Sequence, residues 1–456
     1  MSVSVLDYIP STEHAAIYAG TSTYDASSAI QSANDDGRGV YAPGKRYYML
    51  SGVDLTGPLT GDGASITEFV AGAAMDYMFS VSGQHNDIAR VKLTGGSLAK
   101  VGILVDNSNG FTLRQADIGG MKWDGVQFSF AFDNNNSSEI SNCVFSASGT
   151  SYSTGTATNS ANGTVVTFSG APDLTTLGLR PNIDLVKVGT SPATSIVSVS
   201  TNTITVSQAI AAANTGAAFQ ILQGFHINIL TNHDNAVIRV KGVEFLGCKG
   251  AFIRDNATSG AHIEDCIFEG SQAYAVVVGF VPSEIFVNGH CNINAYVEGC
   301  PDGAVLLESA MNPVISLAAL EDGFALEQMI RIPNRALVSR PRFSRGGVSA
   351  VGDTAALSDL TTANCSFGTR FDVQQSANNL VLMLPPLTGE EVLMLTSTCD
   401  MSIVVQLMNL GGRTVTFKTS DGFAVNGVAG STGVAFNTNY RRLECRFTGW
   451  SQWVVA

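Results

Sequence analysis

A pattern of three apolar residues recurs along the chain. Two residues separate the first apolar residue from the second, and one residue separates the second from the third. One copy consists of Ile263, Cys266 and Phe268, and residues 293–297 form a shortened copy. Copies follow one another at about two dozen residues, the range typical of solenoid proteins, except for one long gap after residue 145. The third apolar positions are Leu93, Ile118, Phe145, Phe245, Phe268, Val297 and Leu320.

Short runs of alternating polar and apolar residues accompany these copies. Residues 101–105 and 126–130 are examples, and each run places its apolar side chains on one face. Because short strands with one inward face recur at a fixed period, the pattern predicts an all-β protein built as a right-handed parallel β-helix. Each coil then adds one layer to a continuous apolar column.

Residues 25–35 predict a different element, an amphipathic helix. Ala29, Ile30 and Ala33 have helical spacing, and Asp25 can cap the N-terminus. Residues 40–49 then predict two short strands joined by a Pro-Gly turn. A capping helix has a physical reason, since the open end of a solenoid exposes sheet edges and apolar core.

The sequence from this helix into the following strands resembles the entry to the β-helix of bacteriophage tailspikes and other pectin-lyase-like proteins. The motif is Asp-x-x-x-Ala-Ile-Gln-x-Ala, a Gly-containing turn and Val-Tyr-x-Pro-x-x-x-Tyr, and with the repeats it covers roughly residues 20–330. The resemblance implies a virion protein that docks on a phage tail or baseplate adaptor. It also implies action outside the cell on a bacterial surface polysaccharide, either O-antigen or capsule. The residues that carry the motif are Asp25, Ala29, Ile30, Gln31, Ala33, Val40, Tyr41, Pro43 and Tyr47.

The long gap between the repeats holds an insert. It opens with Ser/Thr/Gly/Ala-rich sequence and continues with alternating runs, including a hairpin turn at 200–203, that predict a small antiparallel β-domain. Spacing or subunit contact is its simplest role, and sugar binding is the alternative. The predicted boundaries are 1–63 for the lead and cap, 64–147 for the first part of the β-helix, 148–223 for the insert, 224–335 for the second part, 336–365 for a connector and 366–456 for a C-terminal sandwich-like β-domain.

Several strands of the C-terminal β-domain are apolar on both faces, as in residues 381–387 and 392–395. A small sandwich on its own buries only one face of each strand. Because a three-fold interface would bury the other face, we predict a homotrimer.

Composition narrows the partners. Charged residues make up 14% of the chain and the net charge is −13. This balance disfavours nucleic acid, which requires a basic surface, and also an anionic membrane surface. We find no apolar run of the about 18 residues that a membrane span needs and no secretion signal, so we expect no membrane insertion and release with assembled virus.

The cysteines and histidines predict neither a metal site nor a cofactor. Cys143 and Cys266 occupy inward positions of the repeat, where small buried hydrophobic residues are expected. We predict no disulfides, although Cys291 and Cys300 are close enough in sequence to warrant a check.

Equivalent positions of stacked coils align in columns with a spacing of about 4.8 Å, so outward side chains can be compared coil by coil. The position after the third apolar residue holds Glu269, Glu298 and Glu321 in consecutive coils. The position before it holds Glu244 and Tyr296 in the same region. The pattern therefore predicts an acidic patch on one face of the β-helix.

Paired carboxylates suit glycoside hydrolysis, in which one group protonates the leaving oxygen and the other acts as base or nucleophile. Carboxyl groups about 5–5.5 Å apart suit a retaining mechanism, and a separation of about 6.5–9.5 Å suits an inverting one. We predict Glu269 and Glu298 as the catalytic pair, with Glu244 and the turn residue Asp265 as reserves. Tyr296 is the predicted sugar-stacking neighbour.

Other residues are candidates for substrate binding. Asp117 with Trp123 and Asp124 places carboxylates near an aromatic ring in an earlier coil, which makes this a rival to the predicted catalytic cluster, and His233 could bind sugar hydroxyls at a groove edge. A polysaccharide lyase is the enzymatic alternative, and it would neutralise a uronate with basic residues between 239 and 254, Arg254 among them. A non-catalytic glycan-binding protein is the third hypothesis, in which the acidic patch is ordinary solvated surface.

Overall fold

The structure of the protein is a computed structural model. The chain divides into two compact units, one formed by Met1–Ala310 with Arg331–Leu337 and the other by Met311–Ile330 with Val338–Ala456. The structure describes residues 2–129, 137–230, 238–256, 261–279, 290–319, 330–331, 338–339, 342–345, 362–364, 370–373, 379–384, 403–407, 413–420, 423–438, 441–448 and 452–456.

The first unit contains a parallel β-solenoid, which confirms the predicted β-helix. In its first sheet Leu93 pairs with Ile118, Ile118 with Phe145 and, across the long gap, Phe145 with Phe245. The side chains of this column are fully buried, as the repeat requires. The strands of this sheet within the first unit are Val3–Ser4, Val40–Ala42, Arg46–Met49, Leu59–Gly61, Glu68–Ala71, Asp87–Ala89, Lys92–Thr94, Thr112–Arg114, Asp117–Gly119, Ser138–Ser141, Val144–Ser148, Ile238–Lys241, Glu244–Cys248, Ala261–Ser271 and His290–Glu298.

The first sheet begins at Val3, well before residue 64, where the repeat placed the first coil. Val3 pairs with Val40, Val40 with Leu59 and Leu59 with Ile88. The spacing of these first coils departs from the repeat because two helices lie between Val3 and Val40, so the apolar triples are not recognisable there.

Those helices are Ser11–Ala19 and Ser27–Asp35, and a 3-10 helix at Val5–Tyr8 precedes them. The second helix is the predicted capping helix. Its entry is fixed by the Asp25 carboxylate, which accepts hydrogen bonds from the backbone N–H and the hydroxyl of Ser27. The first helix lies where the sequence analysis placed only a lead, and it ends at Gly20 with a φ of 76°.

Five coils of the first sheet turn a corner between their two strands at a residue in the left-handed conformation. For a non-glycine residue this conformation costs about 1–2 kcal/mol, which the surrounding ladder must offset. The ladder continues through the corner, since the backbone N–H of Asn142 donates to Lys241 O and that of Gly242 donates to Glu264 O. The corner residues are Arg90, Gln115, Asn142, Gly242 and Asp265, with φ of 52–60°.

Aromatic rings stack along the inside of the solenoid. The ring centroids of Phe145 and Phe245 are 5.4 Å apart, and those of Phe245 and Phe268 are 4.8 Å apart. His226 belongs to this core, with its ring 5.5 Å from that of Phe252. Burial lowers the pKa of His226 to about 3, so this imidazole is neutral in the folded protein at ordinary pH.

The second sheet of the solenoid has several strands that are buried on both faces. Phe225–Ile229, Ala251–Asp255 and Tyr274–Val278 are examples. The inner face packs into the solenoid core, and the insert covers the outer face. The strands of this sheet within the first unit are Val53–Leu55, Met75–Gln84, Ala99–Asn109, Asp124–Phe128, Phe225–Ile229, Ala251–Asp255, Tyr274–Val278 and Gly303–Leu307.

The insert is a small antiparallel β-structure with its own apolar core, as the alternating runs predicted. Val186, Ile196, Ile204 and Phe219 are among the residues buried in that core. Its strands are Thr150–Tyr152, Thr156–Asn159, Gly163–Ser169, Leu185–Val188, Thr194–Val199, Thr203–Ile210, Asn214–Ala217 and Phe219–Gln223, with a 3-10 helix at Leu174–Leu177.

The second unit contains sheets with mixed strand directions. Leu382 pairs in parallel with both Ala363 and Phe417, whereas Val405 pairs in antiparallel fashion with Leu443. Parallel pairing of this kind is not expected of a simple antiparallel sandwich. Its described strands are Val338–Ser339, Arg342–Arg345, Thr362–Asn364, Arg370–Val373, Leu380–Met383, Ile403–Leu407, Val415–Lys418, Ala424–Val425, Val434–Phe436, Arg441–Thr448 and Gln452–Val455, and two strands, Ala310–Ala319 and Ile330–Arg331, contain the boundaries between the units.

Within the described residues, no helix has both the length and the apolar character needed to cross a membrane.

Candidate functional site

The outer face of the first sheet is open, whereas the insert covers the second sheet from Asp124 onward. Ile183, Leu185 and Leu222 of the insert pack with Tyr274 and Leu306 of the second sheet in one buried cluster. On the first sheet, by contrast, inward buried residues alternate with outward residues that are exposed or half-buried. Outward side chains of the first sheet are therefore available to an extended ligand.

The structure brings Glu269 and Glu298 together on this open face. They are register partners on adjacent strands, so their backbones are about one coil spacing, 4.8 Å, apart. Glu269 is exposed and Glu298 is half-buried. The hydroxyl of Tyr296 donates a 3.0 Å hydrogen bond to Oε2 of Glu298, which orients that carboxylate. Glu321, the predicted third member of the column, lies outside the described residues.

Glu244 and Asp265, the predicted reserves, occupy different settings. Glu244 is exposed and pairs in register with Ile267, so it is diagonal to Glu269. Asp265 is the exposed corner residue of its coil, with a φ of 54°. Its position follows from the corner geometry, which short polar residues and glycine tolerate best, and this geometry is a sufficient reason for an aspartate there.

Asp117 lines a groove of about 910 Å³ on the same face, nearer the N-terminus. Burial raises the pKa of the Asp117 carboxyl, Lys92 on the neighbouring coil opposes this shift, and Glu68 adds to it. A carboxyl with a raised pKa in a groove is a candidate for proton donation or sugar binding. Arg46, Glu68 and Arg90 also line this groove.

The sequence analysis missed these three groove residues. Glu68 precedes the inward Phe69 in the same way that Lys92 precedes Leu93, and Phe69 and Leu93 are register partners. The outward column could therefore have been extended by one coil from the sequence. Arg46 could not, because the apolar triple of the repeat is not recognisable in its coil.

Trp123 is not placed with Asp117 in a shared carbohydrate site. Its ring is stacked by the Arg180 guanidinium at 4.9 Å and by Lys100 Nζ at 5.1 Å, measured to the ring centroid. The neighbouring Asp124 is fully buried and forms a 2.6 Å ion pair with Arg180. Through Arg180 these contacts hold the insert against the solenoid, and they give Trp123 and Asp124 a structural role there.

Arg254 requires a correction, because the structure does not support a contact between its side chain and a substrate. It is fully buried and forms a 2.9 Å ion pair with Glu308, which is also fully buried. Its guanidinium donates further hydrogen bonds to Ser195 Oγ and to the carbonyl of Asn182, both in the insert. Arg254 thus joins the insert to the solenoid and is not free to neutralise a uronate. His233 lies outside the described residues.

Other reactive groups offer no additional chemistry in the described part of the chain. No group of three or more His, Cys, Asp or Glu side chains there is placed to hold a metal ion. Cys291 and Cys300 are buried thiols that are not joined in a disulfide, and Cys300 Sγ donates a hydrogen bond to Glu298 O. Burial raises the pKa of the Cys143 and Cys248 thiols to about 12, so neither is a ready nucleophile.

Comparisons with known proteins yield likenesses of fold. Neither a protein-family model nor a curated protein sequence matches the chain. Similar solved structures include ORF18 of Geobacillus virus E2, at 12% identity and a TM-score of 0.41 over 76% of this chain and 62% of that one. PfbA, a surface adhesin of Streptococcus pneumoniae, is 11% identical with a TM-score of 0.45 over 100% of this chain and 98% of that one.

A tailspike of an Acinetobacter phage, gp42, is also 11% identical, with a TM-score of 0.35 over 96% of this chain and 64% of that one. The chain thus spans less than two thirds of both the Geobacillus virus protein and this tailspike. At these identities and TM-scores the likenesses carry no argument about activity, which has to be argued from the site.

Proposed function

We propose that the protein binds a bacterial surface polysaccharide along the open face of its first sheet and hydrolyses glycosidic bonds there. The observation that carries this proposal is the register pairing of Glu269 with Glu298, together with the hydrogen bond from Tyr296 to Glu298. A spacing of about 5–5.5 Å between two carboxyl groups suits a retaining mechanism, and adjacent coils provide a backbone spacing close to it.

In the proposed mechanism the oriented Glu298 is the nucleophile and Glu269 is the acid and base. First, a carboxylate oxygen of Glu298 attacks the anomeric carbon, the glycosidic bond breaks, and Glu269 gives its proton to the departing oxygen. Second, Glu269 takes a proton from a water molecule, whose oxygen displaces Glu298 from the anomeric carbon. The products together contain one added water, and the anomeric configuration is retained.

The wider setting belongs to the same proposal. We place the protein on a phage virion as a homotrimer that docks on a tail or baseplate adaptor and acts at the host surface. The half-buried Val381 and Met383 support a trimer, since they alternate with the buried Leu382 and Leu384 and leave a second apolar face to cover.

The test is mass spectrometry of oligosaccharides released from a panel of capsules and O-antigens. We expect fragments that have each gained one water, and we expect Glu269→Gln and Glu298→Gln to lower the cleavage rate at least about 100-fold, as the removal of a general acid or nucleophile does. The matched control is Asp76→Asn, which removes an exposed carboxylate on the second sheet, away from the predicted pair. Its cleavage rate should be unchanged.

Three results would contradict this mechanism. Full cleavage by both glutamine variants would exclude the pair as catalytic residues. Fragments without added water would indicate a lyase, and the exposed residues Arg239 and Lys241 would then become the candidate cations. Retention of a glycan without any cleavage would indicate a non-catalytic binding protein.

A further inference from the structure

The groove at Asp117 contains a ladder of alternating charges on four consecutive strands of the first sheet. Arg46 pairs in register with Glu68, Glu68 with Lys92 and Lys92 with Asp117. We infer that this ladder binds an anionic substituent of the glycan, a sugar carboxylate or a phosphate ester, with Arg46 and Lys92 as its main contacts. The inference rests on the proposed function in one respect only, namely that the ligand is a glycan.

Arg46 is the strongest element of this argument. Its Nε atom is buried at the groove and has no hydrogen-bond partner among the residues that the structure describes. Buried donors are normally paired, and the planar guanidinium matches the two oxygens of a carboxylate or phosphate. An anionic group in the groove would satisfy this donor.

The charges of the ladder do not simply cancel one another. Lys92 Nζ is 3.7 Å from Glu68 Oε1, a loose ion pair, and the Thr94 hydroxyl donates a 2.6 Å hydrogen bond to the same oxygen. No ion pair within 4.0 Å joins Arg46 to Glu68 or Lys92 to Asp117, all of which are described residues. Both cations therefore have hydrogen-bonding capacity left for a ligand.

The rim of the groove increases its positive character. Lys45 and Arg90 line it and are exposed. Asp62, a further acidic residue, is already engaged, because its carboxylate accepts hydrogen bonds from the Tyr41 hydroxyl and the Gly44 N–H. Burial raises the pKa of Asp117, which makes its charged form less favourable than that of an exposed carboxylate. The groove is thus a local cationic site in a protein of net charge −13.

The groove and the predicted catalytic pair lie on one continuous column. From Asp117 the register passes through Val144, Glu244 and Ile267 to Tyr296. These four steps of about 4.8 Å separate the groove from Tyr296 by about 19 Å. A single polysaccharide chain along the solenoid could therefore contact both, with the charged group held in the groove while a bond near Glu298 is cut.

The experiment measures binding of purified bacterial capsular polysaccharides by isothermal titration calorimetry. Each acidic polysaccharide is used in its native form, after reduction of its carboxylates to alcohols, and after removal of phosphate esters. We expect the native form to bind at least about tenfold more tightly than the form that lacks the recognised anion, because the loss of a charged hydrogen bond weakens binding by about this factor. Whichever treatment weakens binding identifies the anion as a carboxylate or a phosphate.

Three variants connect this effect to the groove. Arg46→Gln and Lys92→Gln should each weaken binding of the native polysaccharide about tenfold and leave binding of the treated form unchanged. Arg38→Gln, which removes one exposed positive charge outside the groove, is the matched control and should bind normally. Thermal unfolding of each variant verifies the fold, and Lys92, whose side chain is 41% exposed, keeps the test valid if Arg46→Gln is destabilised.

Equal affinity for native and treated polysaccharides would overturn the inference, and so would unchanged binding by both groove variants or no binding by any acidic polysaccharide. Failure of the proposed function is a separate result. If the groove variants lose binding while no polysaccharide is cut, the anion site stands and hydrolysis does not. If an acidic polysaccharide is cut with one added water and the groove variants bind it normally, hydrolysis stands and the anion site does not.

Discussion

At the scale of single residues, the inward or outward direction of a side chain decides its chemistry. His226 is the example. Histidine is common in polysaccharide sites, but here the ring is fully buried and stacks with Phe252 and Phe245. Burial lowers its pKa from 6.5 to about 3, so the folded protein holds it neutral where the unfolded chain would bind a proton.

This difference predicts a loss of stability with acid. Folding lowers the pKa of His226, so the stability that depends on its neutral ring is present in full above pH 6.5. That stability is lost as the pH falls towards about 3. Between pH 6.5 and 5 we expect His226 to account for a loss of about 2 kcal/mol in the free energy of unfolding, at 1.36 kcal/mol per pH unit.

The measurement is guanidinium-induced unfolding of the protein and of His226→Phe at both pH values. The variant keeps an aromatic ring in the stack and should lack this component of the pH dependence, whatever its absolute stability. His85→Asn, a change of an exposed histidine, should keep the full dependence. An identical pH dependence in His226→Phe and the unmodified protein would contradict the assignment.

At the scale of elements, the strength of the sequence signal depended on whether each coil repeats the same pattern. The column formed by Leu93, Ile118, Phe145 and Phe245 was predicted in the correct register because every copy of the repeat encodes its own inward positions. The pairing of Glu269 with Glu298 followed from the same rule. Of the groove only Asp117 was named from the sequence, because the outward column was not extended to Glu68 and Arg46 lies in a coil without the repeat.

Arg254 shows what a local pattern cannot reveal. In its strand the alternation places it on the outer face, which reads as exposed. The insert then covers that face, and the partners Ser195 and Glu308 are far away in sequence. Burial of an outward residue by a separate part of the chain is a tertiary effect, so it left no trace in the spacing.

The buried Arg254–Glu308 pair predicts a large stability effect. Glu308→Gln would leave the Arg254 charge buried without its counter-charge, and we expect a loss of about 3–5 kcal/mol in the free energy of unfolding. Replacing both residues, as in Arg254→Met with Glu308→Leu, should restore most of this loss because no unpaired charge remains.

Chemical denaturation of the two variants checks this prediction. Asp36→Asn is the control, since it breaks the exposed Arg38–Asp36 pair and should cost at most about 1 kcal/mol. A cost of Glu308→Gln no larger than that of the control would show that the buried pair does not hold the insert in place.

At the scale of the whole molecule, the assembly is the main prediction. We expect sedimentation equilibrium to give about three times the 47.7 kDa mass of the chain. The physical reason is the second apolar face of the C-terminal strands, which a monomer would leave in water. The mass should stay constant on dilution, as expected of a closed three-fold assembly. A monomer mass at all concentrations would contradict the trimer.

The attachment of the insert also determines how the solenoid responds to force. Coils of a solenoid contact only their neighbours, so tension on one end should peel them off one at a time. The insert departs from this rule. Arg180 ties it to Asp124, and Lys187 ties it to Asp302, which directly precedes the strand four steps further along the second sheet. The insert therefore acts as a brace across these coils, which must rupture together, while the coils before Asp124 can still unravel singly. The residues proposed to cut, Glu269 and Glu298, lie on coils within this braced region, so tension should leave their alignment intact until the brace itself breaks.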